Sequence, residues 1–243
     1  MPKFYIVGAG PGRADLLTLR AARVLERADA ILYDRLVSPE ILEMARPGAE
    51  LISVGKEEGR QELIQQEILT RMEECAARHQ HIVRLKGGDP MVFGRGAEEW
   101  HHLASRGYDV ELVPGVSASI AVPSLAGVPP TFRGVAGGFA VLTGHRREDL
   151  EQDFSHYAKV PTLIVLMGVK HRREIAAALM AAGRSAAEPA CFVENGATAR
   201  ERVVVTTLGE LGAAMVESPA VLVIGEVVRL RDRLVPPMAS AVA

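Results

Sequence analysis

Apolar residues recur along this chain in two rhythms. Phe4–Val7 is a short run of strand formers that stops at Gly8-Ala9-Gly10-Pro11-Gly12. A helical pattern follows, with Leu16, Leu19, Ala22, Val24 and Leu25 near one face and Thr18 and Arg20 off it. Ala30–Tyr33 reads as a second strand ending at Asp34, and Glu50–Val54 as a third ending at Gly55-Lys56. Gln61–Arg78 repeats apolar positions at Leu63, Ile64, Ile68, Leu69 and Met72, the spacing of an amphipathic helix. His81–Leu85 is a fourth strand stopped by Lys86-Gly87-Gly88-Asp89-Pro90. A helix over Ala97–Ser105 and a strand over Asp109–Val113 complete the series.

This alternation predicts an α/β fold, a parallel sheet with crossover helices. Open parallel sheets bind ligands beyond the carboxyl ends of their strands. Gly10–Gly12, Asp34, Lys56 and Gly87–Asp89 are therefore expected to face one common crevice. Pro114-Gly115-Val116-Ser117 reads as a hinge between domains spanning residues 1–113 and 117–243. Beyond it lies a small-residue stretch, Ala118–Gly127, and then strands at Phe139–Thr143, Thr162–Met167, Ala190–Glu194 and Ala220–Glu226. Val203–Thr206 is a shorter fifth, and helices fit Arg172–Ala182 and Leu208–Met215. The tail from Arg229 is basic, then proline-rich and small, and its last few residues are expected to fray.

Composition narrows the function classes. With 243 residues, 48% hydrophobic and a net charge of −2, the chain is of ordinary globular make-up, without the positive excess that favours nucleic acid or anionic membranes. The apolar runs are strand-length, far short of the ~20 residues of a membrane span. The opening Met-Pro-Lys-Phe-Tyr-Ile-Val-Gly does not read as a secretory signal, so a soluble cytoplasmic protein is expected. Cys75 and Cys191 form no CxxC and have no histidines at ligand spacing, so no metal site is expected and both read as buried thiols.

The first glycine turn, with Asp34 after the next strand, invites a dinucleotide reading. Glycines would let backbone amides approach a pyrophosphate, and the acid would bind ribose. Against it, Arg13 holds a position where that pattern wants glycine or alanine, and Pro11 offers no N–H. The plain alternative is a tight strand-to-helix turn.

Several segments taken together go further. They are Val7-Gly8-Ala9-Gly10-Pro11-Gly12, Asp15-Leu16-Leu17-Thr18-Leu19, Tyr33-Asp34-Arg35-Leu36-Val37-Ser38, Val54-Gly55-Lys56, Arg84-Leu85-Lys86-Gly87-Gly88-Asp89-Pro90, Phe93-Gly94-Arg95-Gly96 and Val113-Pro114-Gly115-Val116-Ser117-Ala118. Thr143-Gly144-His145, Leu166-Met167-Gly168, Val193-Glu194-Asn195-Gly196 and Gly225-Glu226-Val227-Val228 follow. In this order and spacing the chain resembles the tetrapyrrole methylase family over nearly its whole length. The resemblance implies two α/β domains, the first with a parallel sheet and the second with a mixed one, and S-adenosylmethionine folded into the cleft between them. It implies cofactor contacts at Pro11, Gly87, Gly88, Asp89, Val92, Ser117, Ala118, Met167 and Gly196, and a homodimer. The segments Tyr33–Ser38 and Val54–Lys56 are similar to the branch that methylates uroporphyrinogen III to precorrin-2 through precorrin-1. A methylase of a later corrinoid intermediate, or a non-catalytic module that binds cofactor or tetrapyrrole, are the alternatives.

Such chemistry assigns roles. Methyl transfer is an in-line displacement that needs alignment. As the methyl arrives, positive charge spreads into the reduced macrocycle and a proton must leave a neighbouring bridging carbon. A carboxylate can stabilise that charge and take the proton. Asp34 is the expected acid–base residue, with Lys56 as its partner; a helix cap and a surface lysine are the plain alternatives. Asp89 suits an ammonium or hydroxyl of the cofactor, or else caps its turn. A substrate with eight carboxylates needs a local basic cluster, for which Arg35, Arg95 and Arg133, with Lys86, stand in loops beside the expected crevice. Arg95 is the preferred anchor, unless it serves a structural ion pair. His145 either touches substrate or caps a helix. Departures from the family pattern fall at Gln61, Phe132 and Gly134-Val135, in segments expected to lie on the substrate side.

Overall fold

The computed structural model describes residues 1–55, 61–145 and 153–235, with 61–64 described by backbone alone. Lys56, the side chains of Gln61, Leu63 and Ile64, and the end of the tail lie outside the described residues. The chain divides into two compact units, Met1–Ser117 and Ala118–Ala243.

In the first unit, five strands form one all-parallel sheet. They are β1 (Lys3–Gly8), β2 (Ala30–Tyr33), β3 (Glu50–Ser53), β4 (His81–Lys86) and β5 (Asp109–Val113), in the order β3-β2-β4-β1-β5. Parallel strands require crossovers, so every carboxyl end falls on the same edge. One face packs Val7, Ile31, Val83, Leu85 and Val113 against Ala21, Val24 and Leu25 of α1 (Leu19–Leu25) and Ile41 of α2 (Pro39–Leu42). The other packs Phe4, Leu32 and Ile82 against Ile68, Met72 and Cys75 of α3 (Gln61–Ala76) and Leu103 of α4 (Gly96–Ser105). Both faces are covered, which is why β4 reads as a buried run and not as an alternating one.

The helical rhythm after the glycine turn breaks where the sequence pattern runs on. Leu16 belongs to a separate 3-10 turn, Ala14–Leu16, and Thr18 caps α1 by accepting from the Ala21 amide at 3.2 Å. The cap restarts the period. Ala21, Val24 and Leu25 face the core, whereas Leu19, expected on that face, is exposed. The short α2 was not legible in the pattern; it follows Ser38 and begins on Pro39, a residue suited to a first helical position.

The second unit holds a mixed sheet of β6 (Phe139–Thr143), β7 (Thr162–Leu166), β8 (Pro189–Glu194), β9 (Arg202–Thr207) and β10 (Ala220–Ile224), in the order β6-β7-β10-β8-β9. Only β6 and β7 run parallel; the other pairs are antiparallel. The small-residue stretch folds as helix α5 (Ala118–Leu125), which packs through Val122 on Ile164, Cys191, Val193 and Val223. The opposite face is covered by α6 (Arg172–Ala181) and by Leu208 and Leu211. The segment expected as a helix over Leu208–Met215 is a six-residue 3-10 helix, Leu208–Ala213, interrupted by Gly209 and Gly212, which oppose a longer α-helix. A 3-10 turn, Glu226–Leu230, leads into α7 (Arg231–Leu234).

Candidate active site

The carboxyl edge of the parallel sheet concentrates charge where it is least expected. Arg84 and Lys86 stand two apart on β4 and so share a sheet face with Ile82. Arg84 is 1% exposed and Lys86 3%. Their counter-ions come from the ends of other elements. Asp34 follows β2, and its Oδ1 accepts from Arg84 Nη2 at 2.5 Å while Oδ2 lies 3.9 Å from Lys86 Nζ. Glu99 of α4 is wholly buried, and its Oε1 accepts from Lys86 Nζ at 3.0 Å, Arg84 Nε at 3.2 Å and Gln65 Nε2 at 3.2 Å. Arg84 Nη1 also donates to the Leu85 carbonyl at 3.1 Å. Of the four charged groups only Asp34 reaches solvent, with 29% of its side chain exposed.

Burial works against the Arg84 charge, but Glu99 and Asp34 more than offset it and hold the guanidinium above its ordinary range. Burial, and then the Arg84 charge, push Lys86 below the ordinary lysine value, with Glu99 and Asp34 opposing. Two cations and two carboxylates thus balance, and the cluster presents a single anchored carboxylate at the sheet edge.

Beside it the glycine turns form a floor of bare backbone. Gly10 and Gly88, both at positive φ, bond to each other, with Gly88 N–H donating to the Gly10 carbonyl at 2.7 Å and Gly10 N–H to that of Gly88 at 3.2 Å. The Ala9 amide donates to the Lys86 carbonyl at 2.7 Å. Gly8 and Gly115 touch so closely that a Cβ on Gly8 would lie 2.5 Å from the Gly115 Cα. Asp89 takes the Met91 amide on Oδ1 at 2.8 Å and the Gly115 amide on Oδ2 at 3.0 Å, tying the turn after β4 to the one after β5. The amides of Ala9, Gly10 and Gly88 are thus spent inside the protein and are not free to cradle a pyrophosphate.

The structure places the residues singled out above as follows. Gly10, Asp34 and Gly87–Asp89 share the carboxyl edge of the first sheet, with Pro11 and Val92 in the adjoining loops and Ser117 at the end of the unit. Lys86 is a correction: it is the last residue of β4, buried against Glu99, and not a loop cation. Arg35 is exposed in the loop after Asp34. Arg95 sits at φ 61° before α4, with Nε 2.8 Å from Glu98 Oε2. In the second unit, Ala118 opens α5, and Met167 follows β7 at φ 56° and is half-exposed. Gly196 lies between Asn195 at φ 45° and Ala197 at φ 58°, where a Cβ would collide with Val122 Cγ1. Arg133 is exposed in the turn that Phe132 and Ala136 close, and the His145 amide donates to Thr143 Oγ1 at 3.1 Å.

Sequence reasoning missed Arg84, Glu99 and Gln65 as site residues. The signal was present: a strand that is apolar on both sides of an arginine must bury that charge, and a buried charge must be paired. Its partners lie 15 and 50 residues away, so pattern alone could not name them.

A doubly covered parallel α/β unit with polar groups at the carboxyl edge, followed by a mixed-sheet α/β unit, defines a two-unit ligand-binding α/β protein. The chain belongs to the tetrapyrrole (corrin/porphyrin) methylases, whose family profile matches residues 3–212. It is similar to the native form of uroporphyrin III C-methyl transferase from Thermus thermophilus, with 47% identity and a TM-score of 0.84 over 94% of this chain and 99% of that one. The Thermus thermophilus enzyme complexed with S-adenosyl homocysteine gives 45% identity and a TM-score of 0.83 over 94% of each chain. The siroheme synthase of Azotobacter vinelandii is 42% identical over 236 residues, 95% of this chain and 51% of that protein. The chain thus spans about half the length of the curated relatives it matches. No helix among the described residues is long and apolar enough to cross a membrane.

Proposed function

We propose that the chain transfers methyl groups from S-adenosylmethionine to carbon atoms of uroporphyrinogen III, giving precorrin-2 by way of precorrin-1. The carrying observation is the balanced ion cluster at the carboxyl edge, which leaves Asp34 as its one solvent-reaching carboxylate. The proposed cofactor contacts are Pro11, Gly87, Gly88, Asp89, Val92 and Ser117 in the first unit and Ala118, Met167 and Gly196 in the second. None of these is a lysine or arginine, which suits a cofactor without phosphate, and the committed amides of Ala9, Gly10 and Gly88 point the same way.

S-adenosylmethionine, when bound, supplies an electrophilic methyl on a sulfonium. The chain supplies position and proton handling. Asp34, fixed by Arg84, holds a negative charge where the alkylated macrocycle turns positive and receives the proton lost from its bridging carbon. Lys56 belongs to this reading as the partner of Asp34. Arg35, Arg95 and Arg133 are its carboxylate anchors; Arg95 must loosen its hold on Glu98 to serve. A homodimer in the cytoplasm completes the reading.

The test is direct. Purified protein incubated with uroporphyrinogen III and labelled methyl donor yields products two methyl groups heavier. Asp34→Ala lowers this turnover by about 10²-fold or more, while calorimetry shows S-adenosylhomocysteine bound as before. Undiminished turnover in that variant removes Asp34 from the mechanism, and no methylation by the wild type removes the substrate assignment.

A further inference from the structure

Burying Glu99 beside Lys86 is costly, and hydrophobic residues of similar volume would pack the same space without the penalty of desolvating two ions. Neither group reaches solvent, so neither meets substrate in this arrangement. Both lie within one ion of Asp34: Lys86 directly at 3.9 Å, Glu99 through its shared hold on Lys86 and Arg84.

We propose that Glu99 and Lys86 are positioning residues, a buried charge-compensating pair that sets the proton affinity of Asp34. This rests on the reading of Asp34 as the acid–base group.

The charge ledger carries the inference. Among the described residues, the charged groups packed behind Asp34 are Arg84 and Lys86 from β4 and Glu99 from α4, with the neutral Gln65 from α3 also donating to Glu99; Arg35, next in the chain, is exposed. Arg84 keeps its charge throughout, so it orients Asp34 but cannot tune it. Without Glu99, two uncompensated cations would bind Asp34 as a salt and leave it a poor proton acceptor. With Glu99 in place, one cation is neutralised and Asp34 answers to a single net positive charge. Burial and Arg84 push Lys86 down, and Glu99 and Asp34 draw it back towards its charged form.

The geometry also makes the pair testable. Glu99 gathers its three donors on Oε1, while Oε2 has no partner among the described residues. In Glu99→Gln the amide oxygen can keep those donors and the NH2 can take the other place, so the charge changes more than the shape.

The experiment titrates the Asp34 carboxyl in the folded apoprotein by carbon-13 NMR, assigned with Asp34→Asn, so it needs no methyl transfer. Removing the Glu99 charge leaves Arg84 and Lys86 uncompensated behind Asp34, so Glu99→Gln moves the Asp34 titration down, by about one unit or more. Lys86→Met moves it up, and the double variant Glu99→Gln/Lys86→Met returns it towards wild type. The acid limb of kcat against pH shifts in the same three directions, and S-adenosylhomocysteine affinity stays constant. An Asp34 titration that stays put in Glu99→Gln overturns the proposal. If that variant does not fold, the same titration in Lys86→Met decides, and an unmoved value there overturns it equally. Loss of activity in Asp34→Ala without any of these shifts would leave the base in place and sink only the pair.

Discussion

The two middle strands of the two sheets make an instructive contrast. β4 and β10 each lie at the centre of five strands. β10 is Ala-Val-Leu-Val-Ile, and nothing in it asks for a partner other than packing. β4 is His-Ile-Val-Arg-Leu-Lys and carries two cations into the interior. The second sheet shows that this architecture needs no charge in its middle strand for stability. The buried carboxylate of its β8, Glu194, sits at the end of the strand and pairs across to Arg202 of β9, which keeps 55% of its side chain in solvent. On the proposal above, the two cations of β4 are retained for what they do to Asp34, at a cost to folding.

That contrast can be broken by measurement. Arg84→Met leaves Glu99 and Asp34 competing for one cation, and the loss expected in urea denaturation is about 3–5 kcal/mol. Arg202→Met is expected to cost less, about 1 kcal/mol, because Arg202 stands largely in solvent and Glu194 keeps the Glu217 amide. Equal losses would show that the buried cluster is no more than an ordinary pair. The backbone contact at the same edge ranks next. In Gly115→Ala the new Cβ would lie 2.7 Å from the Gly8 Cα and closer still to the Gly88 carbonyl, neither of which is a flexible side-chain tip. The expected cost is about 1–3 kcal/mol, seen as a lower melting midpoint; an unchanged midpoint would mean that the turns have slack.

The smallest effect is a pH dependence in the second unit. Its hydrogen bond with Arg202, aided by the Glu217 amide, holds Glu194 below the ordinary carboxylate value of 4.5. The folded protein then binds that proton less tightly than the unfolded chain. The resulting stability is fully present above the ordinary value and is lost as pH falls through the folded one. Thermal midpoints of wild type and Glu194→Gln should differ at neutral pH and converge in acid. A gap that persists in acid would assign the difference to packing.

Much of the fold was legible because parallel sheets write themselves as apolar runs closed by glycine, aspartate or lysine. The strand ends at Tyr33, Lys86 and Val113 fall within a residue of where the pattern stops. What escaped was set by local capping or by distance. Thr18 reset the helical period and turned Leu19 outward; glycines shortened the helix at Leu208 to a 3-10 segment. At the site, the edge residues Asp34 and Gly87–Asp89 could be read from position alone. The buried partners could not, since a glutamate in the sequence of α4 looks like any solvated helix residue until its side chain is seen under the sheet.

Asp89 carries one more consequence. Its two oxygens are satisfied by amides from two separate turns, so that stretch of main chain is finished from the protein's own atoms. A molecule settling there displaces solvent but has little peptide left to freeze, and its affinity is not diluted by the entropy of building its own receptor.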